Sequence, residues 1–178
     1  MMRIYLGHGA SGTAASMAPF VEGLRQRGVA AEAVDLPKRK AEDVVSVWRA
    51  AVPDEATVAV GGHSYGGRVA SLAAAEPDAP YGALVLFSYP LHPPGAPGRT
   101  AARISHWPAI RCPVLLLSGE ADPFARIALL RTVVGQLRDA ELVTYPRLGH
   151  TLQPVLDDVL DRTAAFLQRA ATTSISTR

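Results

Sequence analysis

Apolar residues in this chain gather in short strand-like runs set between longer helix-forming stretches. The runs lie near residues 3–6, 29–34, 57–60, 83–87, 113–117 and 141–145, and Ala83-Leu84-Val85-Leu86-Phe87 is apolar at every position. A strand with one wet face alternates apolar and polar side chains, so a continuous apolar run signals a strand covered on both faces. Helix-like stretches near 14–27, 41–51, 66–76, 101–106, 124–138 and 152–170 separate the runs. Such alternation predicts parallel strands joined by right-handed helical crossovers, with helices on both sides of one sheet. The fold class is therefore α/β, a three-layer α/β/α sandwich around a mainly parallel sheet of about six strands. No linker or repeat divides the chain, which reads as one domain over 1–171. The segment 172–178, Thr-Thr-Ser-Ile-Ser-Thr-Arg, has too little apolar content to pack and reads as a disordered tail.

One pentapeptide gives this framework chemistry. Gly62-His63-Ser64-Tyr65-Gly66 falls directly between the run at 57–60 and the helix-forming stretch that follows, which predicts a nucleophile elbow with Ser64 at its tip. The sharp strand-to-helix turn crowds the positions two residues either side of the serine, and Gly62 and Gly66 supply the room. A serine hydroxyl is a poor nucleophile until a histidine accepts its proton, and the imidazole in turn needs a carboxylate to hold its tautomer. The run at 113–117 opens into Ser118-Gly119-Glu120-Ala121-Asp122-Pro123, and the run at 141–145 into Pro146-Arg147-Leu148-Gly149-His150. Asp122 and His150 are thus expected in loops at the same sheet edge as Ser64. Glu120, nearer the strand end, is the alternative acid.

The elbow Gly62-His63-Ser64-Tyr65-Gly66-Gly67, the strand Cys112-Pro113-Val114-Leu115 leading into Gly119-Glu120-Ala121-Asp122-Pro123, and Gly149-His150 together resemble α/β-hydrolases of the small dienelactone-hydrolase-like kind. The likeness covers nearly the whole chain. Ser88-Tyr89-Pro90-Leu91-His92-Pro93-Pro94-Gly95 is similar to a segment of the minimal hydrolase-like family named for a testis-expressed protein and a subunit of the chromatin-modifying NSL complex. The resemblance implies Ser64 as nucleophile, His150 as general base and then acid, Asp122 as orienting carboxylate, and no metal or organic cofactor. It also implies a minimal fold without a cap domain, and it leaves open a second class, an interaction module whose site has decayed.

An oxyanion hole of this type uses the amide after the nucleophile, here Tyr65, and one from the loop after the first strand. That loop is Gly7-His8-Gly9-Ala10-Ser11-Gly12, in which Ala10 is the first choice and Ser11 the second. The same loop spells Gly-x-Gly-x-x-Gly, with Asp35 lying 23 residues beyond Gly12, close to what a dinucleotide site asks for. Against that reading stand the bulk of His8 where a pyrophosphate must approach, the run of Asp35 into Leu36-Pro37, and three triad residues left without a role.

Composition narrows the partners. At 178 residues and 48% apolar, the chain can bury a core of ordinary size. A net charge of +2 from 18 basic and 16 acidic residues is near balance, and Lys38-Arg39-Lys40, with no interleaved aromatics, reads as a solvated loop rather than a nucleic-acid contact. The apolar run after Met1-Met2-Arg3 is too short for a signal segment and nothing approaches a membrane span, so a cytoplasmic protein is expected. Cys112 is alone, and no His or Cys pair shows zinc-ligand spacing. The connection from Ser88 to about Pro108 is too short and too rich in proline and glycine for a helical lid. An open cleft is expected, lined by His8, Ser11, Leu91 and His92 with Trp107 nearby, that takes a small-molecule ester. The protein is expected to be a monomer or homodimer.

Overall fold

The computed structural model describes residues 2–176. Six strands form one sheet: β1 (Arg3–Gly7), β2 (Ala30–Val34), β3 (Val58–His63), β4 (Ala83–Phe87), β5 (Val114–Gly119) and β6 (Ala140–Tyr145). Their order across the sheet is β2-β1-β3-β4-β5-β6, and every pairing is parallel. Among the described residues five α-helices lie in the connections between strands, α1 (Ala18–Gln26), α2 (Val45–Ala51), α3 (Tyr65–Ala74), a one-turn α4 (Ala101–Ile104) and α5 (Ile127–Val133), and α6 (Leu156–Ser176) follows the last strand.

Successive strand residues feed opposite cores, as the pleat requires. Val58, Val60, Leu84, Leu86, Val114 and Leu116 pack with Val44 and Trp48 before and on α2, Val69 and Ala73 on α3, and Leu130 and Val133 on α5. Their neighbours Ala59, Ala83, Val85, Phe87, Leu115 and Leu117 pack with Phe20 and Leu24 of α1 and Val159, Leu160 and Leu167 of α6. The sandwich is therefore three-layered, with α1 and α6 on one face and α2, α3 and α5 on the other. Ring contact between Phe20 and Phe87, with centroids 4.8 Å apart, ties α1 to the middle of the sheet.

Three boundaries differ from the sequence reading. The helix expected over 124–138 begins only at Ile127, because Asp122 closes a turn in which the Ala125 N–H donates to the Asp122 carbonyl at 3.2 Å. Proline sets the start of the last helix: a 3-10 turn at Gln153–Val155 precedes α6, since Pro154 lacks an N–H and suits only a first turn. At its other end α6 runs on to Ser176, into the segment expected to be a disordered tail; the rest of that expectation, residues 177–178, lies outside the described residues. No helix among the described residues is long and apolar enough to cross a membrane.

The chain winds from β1 outward to β2, then crosses back to β3 on the other side of β1. In open parallel sheets, ligands bind at the carboxyl ends of the strands where the winding reverses. The loop after β1 and the turn after β3 meet at that point.

Candidate active site

Ser64 stands between the end of β3 and the start of α3 with φ 50° and ψ −114°. A left-handed φ at a residue with a Cβ costs on the order of 1–3 kcal/mol and persists only when the surroundings impose it. The backbone imposes it here: the Ser64 N–H donates to the Phe87 carbonyl at 2.9 Å, and the Ser64 carbonyl accepts from the Arg68 N–H at 3.0 Å. The crowding at Gly62 and Gly66 comes from the end of β1 as well as from the turn. A Cβ on Gly66 would run into the Gly7 backbone, and one on Gly62 would collide with the Gly7 carbonyl and come within 2.8 Å of the Gly66 carbonyl carbon. Gly7 is the register partner of Gly62, so β1, β3 and α3 meet backbone to backbone.

Asp122 lies in the loop after β5 and His150 in the loop after β6, two strands that pair along their full length. The loops are laced together, with the Glu120 N–H donating to the Tyr145 carbonyl and the Ala121 N–H to the Leu148 carbonyl, both at 2.9 Å. His150 Nδ1 donates to Asp122 Oδ2 at 2.8 Å, and the other carboxylate oxygen, Oδ1, accepts the Phe124 N–H at 2.8 Å. The Asp122 side chain is fully buried, whereas that of His150 is 24% exposed. A carboxylate so placed fixes the imidazole tautomer with its proton on Nδ1 and leaves the Nε2 lone pair free. Glu120 points elsewhere: its Oε1 accepts from Arg131 at 2.7 Å and from Thr144 at 2.8 Å.

Ser64 and His150 both line a cavity of about 440 Å³, together with Gly9, Ala10, Ser11, Met17, Phe20, Phe124 and Leu152. A turn closed by the Gly12 N–H on the Gly9 carbonyl at 3.0 Å presents Ala10 and Ser11 to this cavity. Tyr65, whose amide opens α3, lines a second cavity on the other side of Ser64.

The structure corrects the remaining lining residues. His8 is buried and both its ring nitrogens are engaged, Nδ1–H donating to the Gly9 carbonyl at 2.7 Å and Nε2 accepting the Leu36 N–H at 2.9 Å. His92 is buried in the same manner, between the Pro93 carbonyl at 2.8 Å and the Arg126 N–H at 3.1 Å. An imidazole with both nitrogens taken has nothing to offer a substrate, and each serves instead as a staple between loops. Leu91 and Trp107 are wholly inaccessible and belong to the core on the α3 face. One contributor, Phe124, escaped the sequence reading, whereas His63 is expected from the sequence to pack beside the nucleophile rather than act in catalysis. Phe124 packs against the His150 ring, with centroids 4.5 Å apart. His63 donates Nε2–H to the His150 carbonyl at 3.2 Å, and burial holds its pKa below the ordinary histidine value, so it is a neutral brace for that loop.

The dinucleotide motif is absorbed by the same geometry. A Cβ on Gly9, the second glycine of the motif, where the backbone would have to approach a pyrophosphate, would come within 3.1 Å of the His63 ring, so that side chain stands in the approach. Asp35, the acid that would hold a ribose, accepts the Ala14 N–H at 2.6 Å and caps the turn before α1. Millimolar NAD or NADP is therefore expected to leave the melting temperature unchanged, since a ligand bound only by the native state must raise it. A saturable upward shift in a thermal denaturation series would return the loop to nucleotide binding. Among the described residues no three His, Cys, Asp or Glu side chains gather as a metal site would need.

A family model described as an alpha/beta hydrolase domain matches residues 19–176. Several solved structures share the fold. A monoacylglycerol lipase of Paleococcus ferrophilus is 14% identical, with a TM-score of 0.80 over 94% of each chain. Est1E of Butyrivibrio proteoclasticus, solved with ferulic acid bound, is 18% identical with a TM-score of 0.79 over 97% of this chain and 90% of its own. The esterase Pf2001 of Pyrococcus furiosus is 17% identical, with a TM-score of 0.76 over 94% of this chain and 80% of its own. No curated protein sequence matches the chain.

Proposed function

Because the chain belongs to the alpha/beta hydrolase domain family, we propose that it is a serine hydrolase that cleaves a small carboxylic ester by acyl transfer to Ser64. The observation that carries this reading is the hydrogen bond of 2.8 Å from His150 Nδ1 to the buried Asp122, with His150 and Ser64 on the wall of one cavity. His150 Nε2 accepts the Ser64 hydroxyl proton as Oγ attacks the ester carbonyl. The amides of Tyr65 and Ala10 receive the negative charge that develops on the carbonyl oxygen, an interaction made in the transition state rather than in the ground state. His150 then returns the proton to the departing alcohol, and a water molecule activated by the same imidazole releases the acyl group. The esterases and lipases that share the fold lend support to ester chemistry. The dienelactone-hydrolase-like resemblance supports a small substrate, as does the absence of any cap over the cleft among the described residues. A cytoplasmic site of action belongs to the same proposal.

A fluorophosphonate probe tests the reading without a guess at substrate. It is expected to label Ser64 and none of the other nine serines, because only Ser64 has the elbow geometry. Intact mass and peptide mapping would locate the adduct. Folded protein that takes up no probe would instead favour a binding module built on a hydrolase fold.

A further inference from the structure

The second cavity beside Ser64 is the most strongly charged concavity that the site presents. It measures about 420 Å³, and Ser64, Ala10 and Phe124 belong to its wall as they do to that of the first cavity. Arg39 and Lys40 reach it from the loop after β2, Arg68 from the first turns of α3, and Arg103 from α4. Among the described residues Glu42 is the one carboxylate on its wall, and it pairs with Arg68. Four cations face one anion in a chain whose overall charge is only +2. The convergence arises from the fold, because these side chains are separated by up to 64 positions, from Arg39 to Arg103.

Two details show that the charge is incompletely satisfied from within. Arg68 Nε is buried and has no hydrogen-bond partner. Arg103 Nη1 donates to the Pro90 carbonyl at 3.2 Å but among the described residues meets no carboxylate there, and burial, then the neighbouring positive charge of Arg68, push its guanidinium below the ordinary arginine pKa. The basic loop is held in place over the cavity by Tyr65, whose hydroxyl donates to the Pro37 carbonyl at 2.8 Å. The residue next to the nucleophile thus anchors the segment that carries Arg39 and Lys40.

We propose that this cavity is a subsite for an anionic group, a carboxylate or phosphate, carried by the ester that Ser64 attacks. The proposal rests on the hydrolase reading and specifies its substrate class. A guanidinium is suited to bidentate recognition of either oxyanion, and three arginines with a lysine beside them offer more donors than a single carboxylate of the protein can use. Because Ser64 stands on the wall shared by the two cavities, an ester can lie across it with its reacting carbonyl at the serine. Its charged end then sits among Arg39, Lys40, Arg68 and Arg103.

Two matched pairs of esters test this. Monophenyl adipate against phenyl hexanoate places the charge on the acyl side, and 4-acetoxybenzoate against phenyl acetate places it on the alcohol side. In one pair the charged ester is expected to show a kcat/KM about tenfold higher at low ionic strength, chiefly through KM, a ratio equivalent to about 1.4 kcal/mol. The ratio should fall toward one with added salt, as screening of partly exposed charges requires. It should fall likewise in the double variant Arg39→Gln/Lys40→Gln and in Arg103→Gln, each checked for native circular dichroism. Ratios of one or less in both pairs, or a ratio that these substitutions leave unmoved, would overturn the proposal. A titration of adipate, adipamide and inorganic phosphate into Ser64→Ala protein, followed by calorimetry, reads the subsite independently of turnover. Saturable binding of either anion that weakens in the added Arg103→Gln background, with no binding of adipamide, supports it; binding of neither anion refutes it. If no ester is hydrolysed, the catalytic reading fails on its own and the titration still decides the subsite.

Discussion

Asp122→Asn is expected to lower kcat on a small aryl ester by about 10⁴-fold while leaving the fold intact. The asparagine fills the same space but can present an N–H to His150 Nδ1, which favours the tautomer with the proton on Nε2. That nitrogen is the one that must accept the Ser64 proton. The substitution also removes the charge that stabilises the imidazolium, in a position where the carboxylate is fully buried and held at 2.8 Å from the ring. Glu120→Gln is expected to cost no more than a few-fold, since Glu120 Oε1 is engaged by Arg131 and Thr144 at the edge of the sheet. Initial rates on both variants, with matched circular dichroism, decide between the two acids. A larger loss at Glu120 would move the role there.

Gly66→Ala is expected to destabilise the protein by about 3 kcal/mol, the upper end for an overpacked core, which in a domain of this size lowers the melting temperature by about 10 °C. The added methyl group would meet Cα, carbonyl carbon and carbonyl oxygen of Gly7. These are backbone atoms of a strand hydrogen-bonded on both sides, so no side chain can rotate away to make room. Gly135→Ala is the control, because a Cβ there meets nothing within 4 Å, and its effect should stay within about 0.5 kcal/mol. Thermal melts of the two variants settle the matter. Equal stabilities would mean that β1 and α3 separate more easily than their contact suggests.

All six strands were legible because apolar runs such as Ala83 to Phe87 leave no polar face for water. Their ends were less so. β3 continues through Gly62-His63 and β5 through Ser118-Gly119, residues that resemble a loop in the sequence but remain in register with Gly7, Phe87, Thr144 and Tyr145. Ser64, Asp122 and His150 stood out because each follows a strand that ends at the same edge. His8, Leu91 and His92 misled because nearness in sequence to a catalytic motif says nothing of side-chain direction; two of them turn inward to staple loops and the third enters the core. Phe124 and the meeting of Arg39, Lys40, Arg68 and Arg103 were hidden for a different reason. They depend on how loops from separate crossovers close over the sheet, and no local pattern encodes that closure.

The backbone contact among Gly7, Gly62 and Gly66 divides the protein's evolutionary latitude. A side chain at any one of the three would run into the backbone of at least one of the others, so a lineage cannot drift through intermediates at these positions while keeping Ser64 in its left-handed conformation. Ala10, Ser11, Arg39, Lys40 and Phe124 surround the same serine from loops that bear no such constraint, and loops tolerate change where packed backbone does not. Descendants of this chain are free to exchange one substrate for another long before they can exchange one chemistry for another.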